Sequence, residues 1–257
     1  MILATWNVNS IRARLARLLA WLERTAPDVA CLQELKVPDE EFPVEEIRAT
    51  GYHAVFHGQK TYNGVAILSR SEPTELAIGL PGDTEDVDSQ ARLIAATCEG
   101  VRVVSAYFPN GQTVGSEKWA YKLGWMERLR EHLPTLLADG APLALCGDFN
   151  VAPEDRDVAR PDEWRSSVLC HEDARKALAA IMGERLIDTI RLHEEGPGPY
   201  SWWDYRMLAF PKGNGLRIDH IVVTPDLAQR CTRAWVERNE RKGKLPSDHA
   251  PVLVELS

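Results

Sequence analysis

Short apolar runs open this chain, and a helical period follows. Ile2 to Val8 reads as a strand entering a turn at Asn9-Ser10, where Ser10 is placed to cap a helix. Ile11, Leu15, Leu18, Leu19 and Leu22 then recur at helical spacing, with Arg12, Arg14, Arg17 and Arg24 mostly on other faces and Pro27 as the stop. Val29 to Leu32 is a buried-strand run ending in Gln33-Glu34, which puts Glu34 at a strand's carboxyl end. Further strands are expected at Ala54 to Phe56, Gly64 to Ser69, Leu93 to Cys98 and Val101 to Phe108, the last two joined tightly at Glu99-Gly100.

A long helix fits Glu117 to Leu133, with Trp119, Leu123, Met126 and Leu133 on one side and Pro134 ending it. Leu143 to Phe149 is the next buried strand, followed by an irregular stretch from Ala152 to Ser167 and a helix around Glu172 to Met182. Strands at Leu216 to Val223, Arg233 to Val236 and Val252 to Leu256 complete the pattern. Strands and helices are interleaved twice, in two halves of similar length with no flexible linker. The pattern predicts an α/β fold: a four-layer α/β sandwich, two mixed β-sheets packed face to face with helices outside, formed as one domain over residues 1–257.

Bulk composition narrows the classes. With 257 residues, 44% of them hydrophobic, the chain can bury a large core. The first residues carry no charged leader and no apolar run has the length of a membrane span, which predicts a cytoplasmic protein. Five scattered cysteines, none in CxxC spacing, argue against a disulfide framework and against a zinc site. Thirty basic residues against 38 acidic, net −8, argue against passive nucleic-acid binding driven by bulk charge. An enzyme whose acidic cluster holds a metal is less affected by that balance.

Three stretches bear chemistry. Leu216-Arg217-Ile218-Asp219-His220 and Pro246-Ser247-Asp248-His249-Ala250-Pro251 put carboxylates and an imidazole at strand ends, and Gly147-Asp148-Phe149-Asn150 adds a carboxylate and an amide two residues apart. Together they can hold a divalent metal, set a histidine against a phosphate and donate N–H groups to its oxygens, the requirements of metal-assisted phosphodiester hydrolysis.

With Thr5-Trp6-Asn7-Val8-Asn9, Leu32-Gln33-Glu34-Leu35-Lys36 and Ala106-Tyr107-Phe108-Pro109-Asn110-Gly111, these stretches make six motifs that resemble the exonuclease III family of abasic-site endonucleases in order and spacing. Phe42-Pro43 through Gly51-Tyr52 and His57 through Ala66 are similar too. The resemblance implies that Glu34 binds metal, Mg²⁺ or else Mn²⁺, with Asn7 and Asp248 nearby and Asp148 and Asn150 as alternates. It implies a catalytic set of Tyr107, Asp148, Asn150, Asp219 and His249, with Asp219 hydrogen-bonded to His249 and Tyr107, Asn7 and Asn150 on the phosphate. Two candidates for general base stand side by side, Asp148 and the His249–Asp219 pair. Asn9 stands where some members carry an aspartate ligand, so a single metal centred on Glu34 is expected.

The implied partner is double-stranded DNA with abasic sites or recessed or blocked 3′ ends, bound by a monomer and cut to leave a 3′-hydroxyl. Trp202 would form the wall of a pocket for an extrahelical sugar, with Leu216 and Ile218 as partners, and Arg206 would enter the duplex. Lys36, Lys60, Tyr62, Asn110, Lys212, Arg217 and the run Arg241-Lys242-Gly243-Lys244 would meet phosphates. The loop Gly111 to Gly115 offers no wedge beyond Gln112, and the irregular segment Arg160 to Glu172 is placed to choose between internal incision and end trimming. The rival readings are a deoxyribonuclease I-like nuclease or inositol phosphatase of the wider superfamily, and a DNA-binding relative without catalysis.

Overall fold

Alternation along the central strands sorts the apolar side chains into three layers. The computed structural model describes residues 1–83, 90–138 and 140–257. In chain order the strands are β1 (Ile2–Asn7), β2 (Val29–Gln33), β3 (His53–His57), β4 (Val65–Ser69), β5 (Thr74–Ile78), β6 (Leu93–Cys98), β7 (Val101–Tyr107), β8 (Leu143–Asp148), β9 (Ile187–Asp188), β10 (Asp219–Val223), β11 (Cys231–Val236) and β12 (Val252–Leu256). The α-helices are α1 (Ile11–Thr25), α2 (Val44–Ala49), α3 (Glu117–Leu136), α4 (Pro161–Trp164), α5 (Glu172–Met182) and α6 (Pro225–Arg230).

One six-stranded sheet runs β11-β12-β1-β2-β4-β3 and the other β5-β6-β7-β8-β10-β9. Both are mixed, since β1–β2 and β7–β8 are parallel while β1–β12 and β8–β10 are antiparallel. Leu3, Val29, Cys31, Ile67, Val103, Cys146, Ile221 and Val254 fill the space between the sheets. Ala4, Trp6, Leu32 and Leu68 on the opposite face of the first sheet pack with Leu18, Trp21 and Leu22 of α1. On the second sheet, Val104, Leu145 and Val222 pack with Trp125, Met126 and Leu129 of α3 and Leu178 of α5. Alternation along each strand thus supplies an inner layer and an outer layer at once. The expected four-layer sandwich is the observed fold.

Local chemistry sets most boundaries where expected. Ser10 Oγ accepts the Ala13 N–H at 3.4 Å to cap α1, whose last turn closes at Ala26 in the left-handed region just before Pro27. Two boundaries differ by three residues, and the others by no more than two. Pro134 lies inside α3, which continues to Leu136: a proline near the C-terminal end forfeits one helical N–H, while Leu133 and Leu136 still gain burial. β10 starts at Asp219, because Leu216 bridges instead to Trp202 and Val158. Neither β5 nor the two-residue β9 was expected. The first is an edge strand with exposed Leu76 and Ile78, and the second is too short to show a period.

Candidate active site

The inner layer changes character along its length. On β1 the inward positions read Leu3, Thr5, Asn7; on β2, Val29, Cys31, Gln33; on β7, Val103, Ser105, Tyr107; on β8, Ala144, Cys146, Asp148; and on β10, Val223, Ile221, Asp219. One end is therefore dry, the middle carries a small polar cluster, and the far end carries the site. In the middle, Gln33 Nε2 donates to Thr5 Oγ1 at 3.0 Å and to Ser105 Oγ at 3.1 Å, so the buried amide is satisfied. Gly147 is required beside this end, since a Cβ there would stand 1.8 Å from the Ala106 carbonyl oxygen of the adjoining strand.

The register then assembles the catalytic groups. Asp148 is directly opposite Asp219 across β8–β10 and beside Tyr107 across β7–β8. Glu34 enters from the turn after β2, in the left-handed region, and His249 from the segment before β12. His249 Nδ1 lies 2.9 Å from Asp219 Oδ2, and its Nε2 lies 3.7 Å from Asp148 Oδ2. Asn7 Nδ2 donates to Glu34 Oε1 at 2.8 Å and to Asp148 Oδ2 at 2.9 Å, and the Tyr107 hydroxyl donates to Glu34 Oε1 at 3.1 Å. The Asn150 N–H donates to Asp148 Oδ1 at 2.9 Å, and Asn110 Nδ2 donates to Asn150 Oδ1 at 3.0 Å.

Crowded carboxylates in a buried site shift the proton affinities. Burial raises Asp148 to about 7; the imidazole of His249 opposes the rise, and the negative charges of Asp219 and Glu34 add to it. Burial pulls His249 down, but Asp219, Asp148 and Asp248 outweigh it and lift it to about 10. Burial, with Glu34 and Asp148 beside it, also raises Tyr107 well above the usual phenol range. At neutral pH the site therefore presents an imidazolium and a phenol O–H, both donors, facing a carboxylate that is readily protonated.

Glu34, Asp148 and His249 offer ligand atoms within 4.8 Å of one another. The two carboxylates suit a hard divalent cation, whose charge would relieve the repulsion that raises Asp148. His249 fits that role less well, because its Nδ1 is committed to Asp219 and a protonated Nε2 cannot ligate.

Several expected contacts are redistributed. Asn7 presents its Nδ2 to the carboxylates while its oxygen accepts the Asn9 N–H at 3.0 Å, so it arranges the acids and is not an oxygen ligand here. Both oxygens of Asp248 are taken, by Asn9 Nδ2 at 2.8 Å and Trp202 Nε1 at 3.0 Å. The Asn150 amide is spent on Asn110 and on the Phe108 carbonyl, 3.0 Å away. Lys36 sits inside the site, 2.8 Å from Glu34 Oε2 and 2.6 Å from Asn9 Oδ1, and not on the rim.

Arg217 is not a DNA contact. It is fully buried, paired with Asp157 at 2.6 Å and Asp188 at 2.7 Å, because it precedes β10, where strand alternation no longer holds it on the face of Asp219, and its N–H is anchored on the Asp157 carbonyl at 2.8 Å. Arg241 is also buried, donating to the carbonyls of Ser247 and Trp203, which leaves Lys242 and Lys244 as the exposed part of its run. Leu216 and Ile218 are buried in the helix-side core, so they back Trp202 and do not line an open pocket. Lys60, Tyr62, Asn110, Arg206 and Lys212 are exposed, with Arg206 folded back on Asp204 at 2.7 Å.

A cavity of about 550 Å³ adjoins the site at Tyr107 and Asn110 and is lined also by Tyr62, Arg92 and Tyr121. A second, of about 590 Å³, lies beyond Trp202 among Trp164, Arg206, Met207 and Lys212. Sequence reasoning missed Ser201, whose hydroxyl donates to Asp219 Oδ2 at 2.6 Å and accepts the Asp219 N–H at 3.1 Å, and Arg92, which lies over the Tyr107 ring at 5.0 Å. Nothing local marks a lone serine. Arg92 could have been noticed as a charge opening the apolar run of β6.

A buried Asp–His pair facing two further acids at the open end of a double sheet defines a hydrolase of phosphate esters, and the chain belongs to the endonuclease/exonuclease/phosphatase family, whose model matches residues 4–249. Within it the chain falls in the exonuclease III and AP endonuclease branch. It is 36% identical over 264 residues to an exodeoxyribonuclease III of Haemophilus influenzae, covering 98% of each chain. It superposes with a TM-score of 0.97 on a 3′ phosphatase from Neisseria bound to a product DNA hairpin, at 40% identity and covering 100% of this chain and 99% of that one. An AP endonuclease from Archaeoglobus fulgidus gives a TM-score of 0.94, again at 40% identity and with the same coverage.

Proposed function

We propose that this chain is a Mg²⁺-dependent DNA repair nuclease of exonuclease III type, cutting phosphodiesters at abasic sites and removing nucleotides or blocking groups at 3′ ends to leave a 3′-hydroxyl. The observation that carries this reading is the convergence of Glu34, Asp148 and the His249–Asp219 pair at one end of the inter-sheet layer, beside a cavity that Tyr107 and Asn110 line.

The proton affinities divide the labour between the two candidate bases. His249, held as an imidazolium by Asp219, donates to a non-bridging phosphate oxygen, and the Tyr107 hydroxyl donates beside it. Asp148 takes a proton from water, the water oxygen bonds to phosphorus, and the bond from phosphorus to the 3′ oxygen breaks as that oxygen takes a proton from solvent water. Mg²⁺ held at Glu34, with Asp148 at its side, would supply positive charge for the phosphate and leaving oxygens. Asn7 and Asn150 fix the two carboxylates, and Ser201 fixes Asp219.

Duplex DNA would be held by exposed Lys60, Tyr62, Lys212, Lys242 and Lys244, with Arg206 released from Asp204 to enter the duplex and Trp202 as an aromatic wall. The enzyme works as a monomer, as one catalytic unit over residues 1–257, in the cytoplasm, where five free cysteines stay reduced. Among the described residues no helix is long and apolar enough to cross a membrane.

Three substrates with Mg²⁺ test the reading: an abasic duplex, a duplex with a recessed 3′-phosphate end, and an inositol polyphosphate. Cleavage of the DNA substrates is expected, weakening as salt rises. Phosphate release from the inositol compound alone would overturn it.

A further inference from the structure

Lys122 is the one fully buried lysine among the described residues, and the mechanism above makes no use of it. It sits in the first half of α3, outside the inter-sheet layer. Its ammonium donates to three main-chain carbonyls: Asn150 at 2.7 Å, Val168 at 2.8 Å and Asn110 at 3.2 Å. Three N–H groups thus meet three acceptors, and each acceptor lies on a different connection. Asn110 is on the β7–α3 connection, Asn150 follows β8, and Val168 lies between α4 and α5.

All three connections border the site. Asn150 is in the left-handed region, and its N–H holds Asp148 Oδ1. Asn110 holds the Asn150 amide. The Val168 segment is tied to the residues after Asn150 by the Ala152 N–H to the Leu169 carbonyl, 2.8 Å. The β7–α3 connection is seated directly on the lysine stem, for a Cβ at Gly111 would stand 3.0 Å from Lys122 Cδ. A neutral amide or a water could satisfy carbonyls at less desolvation cost than an ammonium. Burial lowers Lys122 to about 7, against the pull of Asp148, and in its charged form it adds strong, short bonds that stiffen the three segments together.

We propose that Lys122 is a positioning residue for phosphodiester cleavage: by clamping the carbonyls of Asn110, Asn150 and Val168 it sets the orientation in which Asp148 and Asn150 meet the reacting phosphate. The inference rests on the proposed function, which supplies the reaction. Lys122 touches no substrate, so its removal acts on the chemical step more than on DNA capture.

The experiment measures kcat and KM on a duplex with a 3′-phosphate for wild type, Lys122→Met, Lys122→Gln and Lys122→Arg, each alone and with Asn150→Ala. Lys122→Met is expected to lower kcat by about 10²-fold with KM nearly unchanged, the scale of an ångström-level misplacement. Lys122→Gln, with two donors, falls between it and wild type, and Lys122→Arg restores most turnover. In the Asn150→Ala background the Met substitution costs much less, since the geometry it guards is already lost. Equal losses in both backgrounds, a change in KM alone, no rescue by arginine, or failure of both neutral variants to fold would each overturn the inference. If wild type cuts no DNA, the proposed function falls and takes this inference with it. If wild type cuts and Lys122→Met is unaffected, this inference alone falls.

Discussion

Asp219 and His220 are neighbours on β10 and face opposite ways, each into a buried cluster of charge. On the inner side, Asp219 joins Asp148, Glu34 and Asp248 around His249, so acids outnumber bases and the imidazole is raised to about 10. On the outer side, His220 joins Asp157 and Asp188, but here Arg217 and Arg191 supply matching positive charge. Burial and the adjoining Arg217 then lower His220, and its Nε2 rests on the Val151 carbonyl at 3.0 Å. Although burial opposes it, Arg217 and Arg191 hold Asp157 below the usual carboxylate range. The difference teaches how to tell a working cluster from a holding one: the second is neutral, with its acids saturated by arginines, whereas the first has excess acid that only a cation can balance.

The contrast breaks most sharply at Asp148. Asp148→Asn should lower turnover by about 10²- to 10⁴-fold, yet raise the melting temperature of the protein in EDTA. The sign follows from a folded-state value of about 7 against an ordinary 3.8: protonation favours the fold, so this contribution is present at low pH and is lost as pH rises through 7. Thermal melts of both proteins from pH 5 to pH 9 should show the variant's advantage growing up to about pH 7 and levelling off above it. A variant less stable than wild type at pH 8 would contradict the excess-acid picture.

On the saturated side the effects reverse. Arg217→Met leaves Asp157 and Asp188 without their main partner and should cost about 3–5 kcal/mol in chemical denaturation, while KM for DNA of the folded fraction stays put. A raised KM with unchanged stability would return Arg217 to the DNA surface. Next, Mg²⁺ at about 100 times its Kd should stabilise the protein by about 2.7 kcal/mol; Glu34→Gln should abolish that gain and Asp188→Asn should keep it. The smallest effect belongs to His220→Gln, about 1 kcal/mol of stability for one lost hydrogen bond, with the pH profile of turnover unmoved. A shifted profile would mean that the two clusters communicate through β10.

Much of this was legible along the chain because it depends on alternation. Asp148, Asp219 and Glu34 stand at the ends of apolar strands, and such ends gather at one rim of a sandwich, so the acids could be grouped before any coordinates. What alternation could not say is which face an end residue takes once the strand has stopped. Arg217 looked available beside Asp219, but it precedes β10 and turns to Asp157, 60 positions earlier in the chain. Asn7 and Asp248 were recognisable as members of the site, but the direction of an amide and the occupancy of a carboxylate are settled by partners such as Asn9 and Trp202. Lys122 and Ser201 left no trace, since a lysine on a helix usually faces water and a serine in a loop is ordinary.

The placement of β12 has a consequence during synthesis. Residues 252–256 are wedged between β1 and β11, with Thr5 opposite Val252 and Ile2 opposite Glu255, so the first sheet stays split until they arrive. His249 precedes that strand by three positions and is brought to Asp219 by the same docking event. A nascent polypeptide emerging at about 5–20 residues per second thus carries Glu34 and Asp148 for about 5 s or more with no imidazole beside them. The cutting function is withheld from nearby nucleic acid until β12 has docked between β1 and β11.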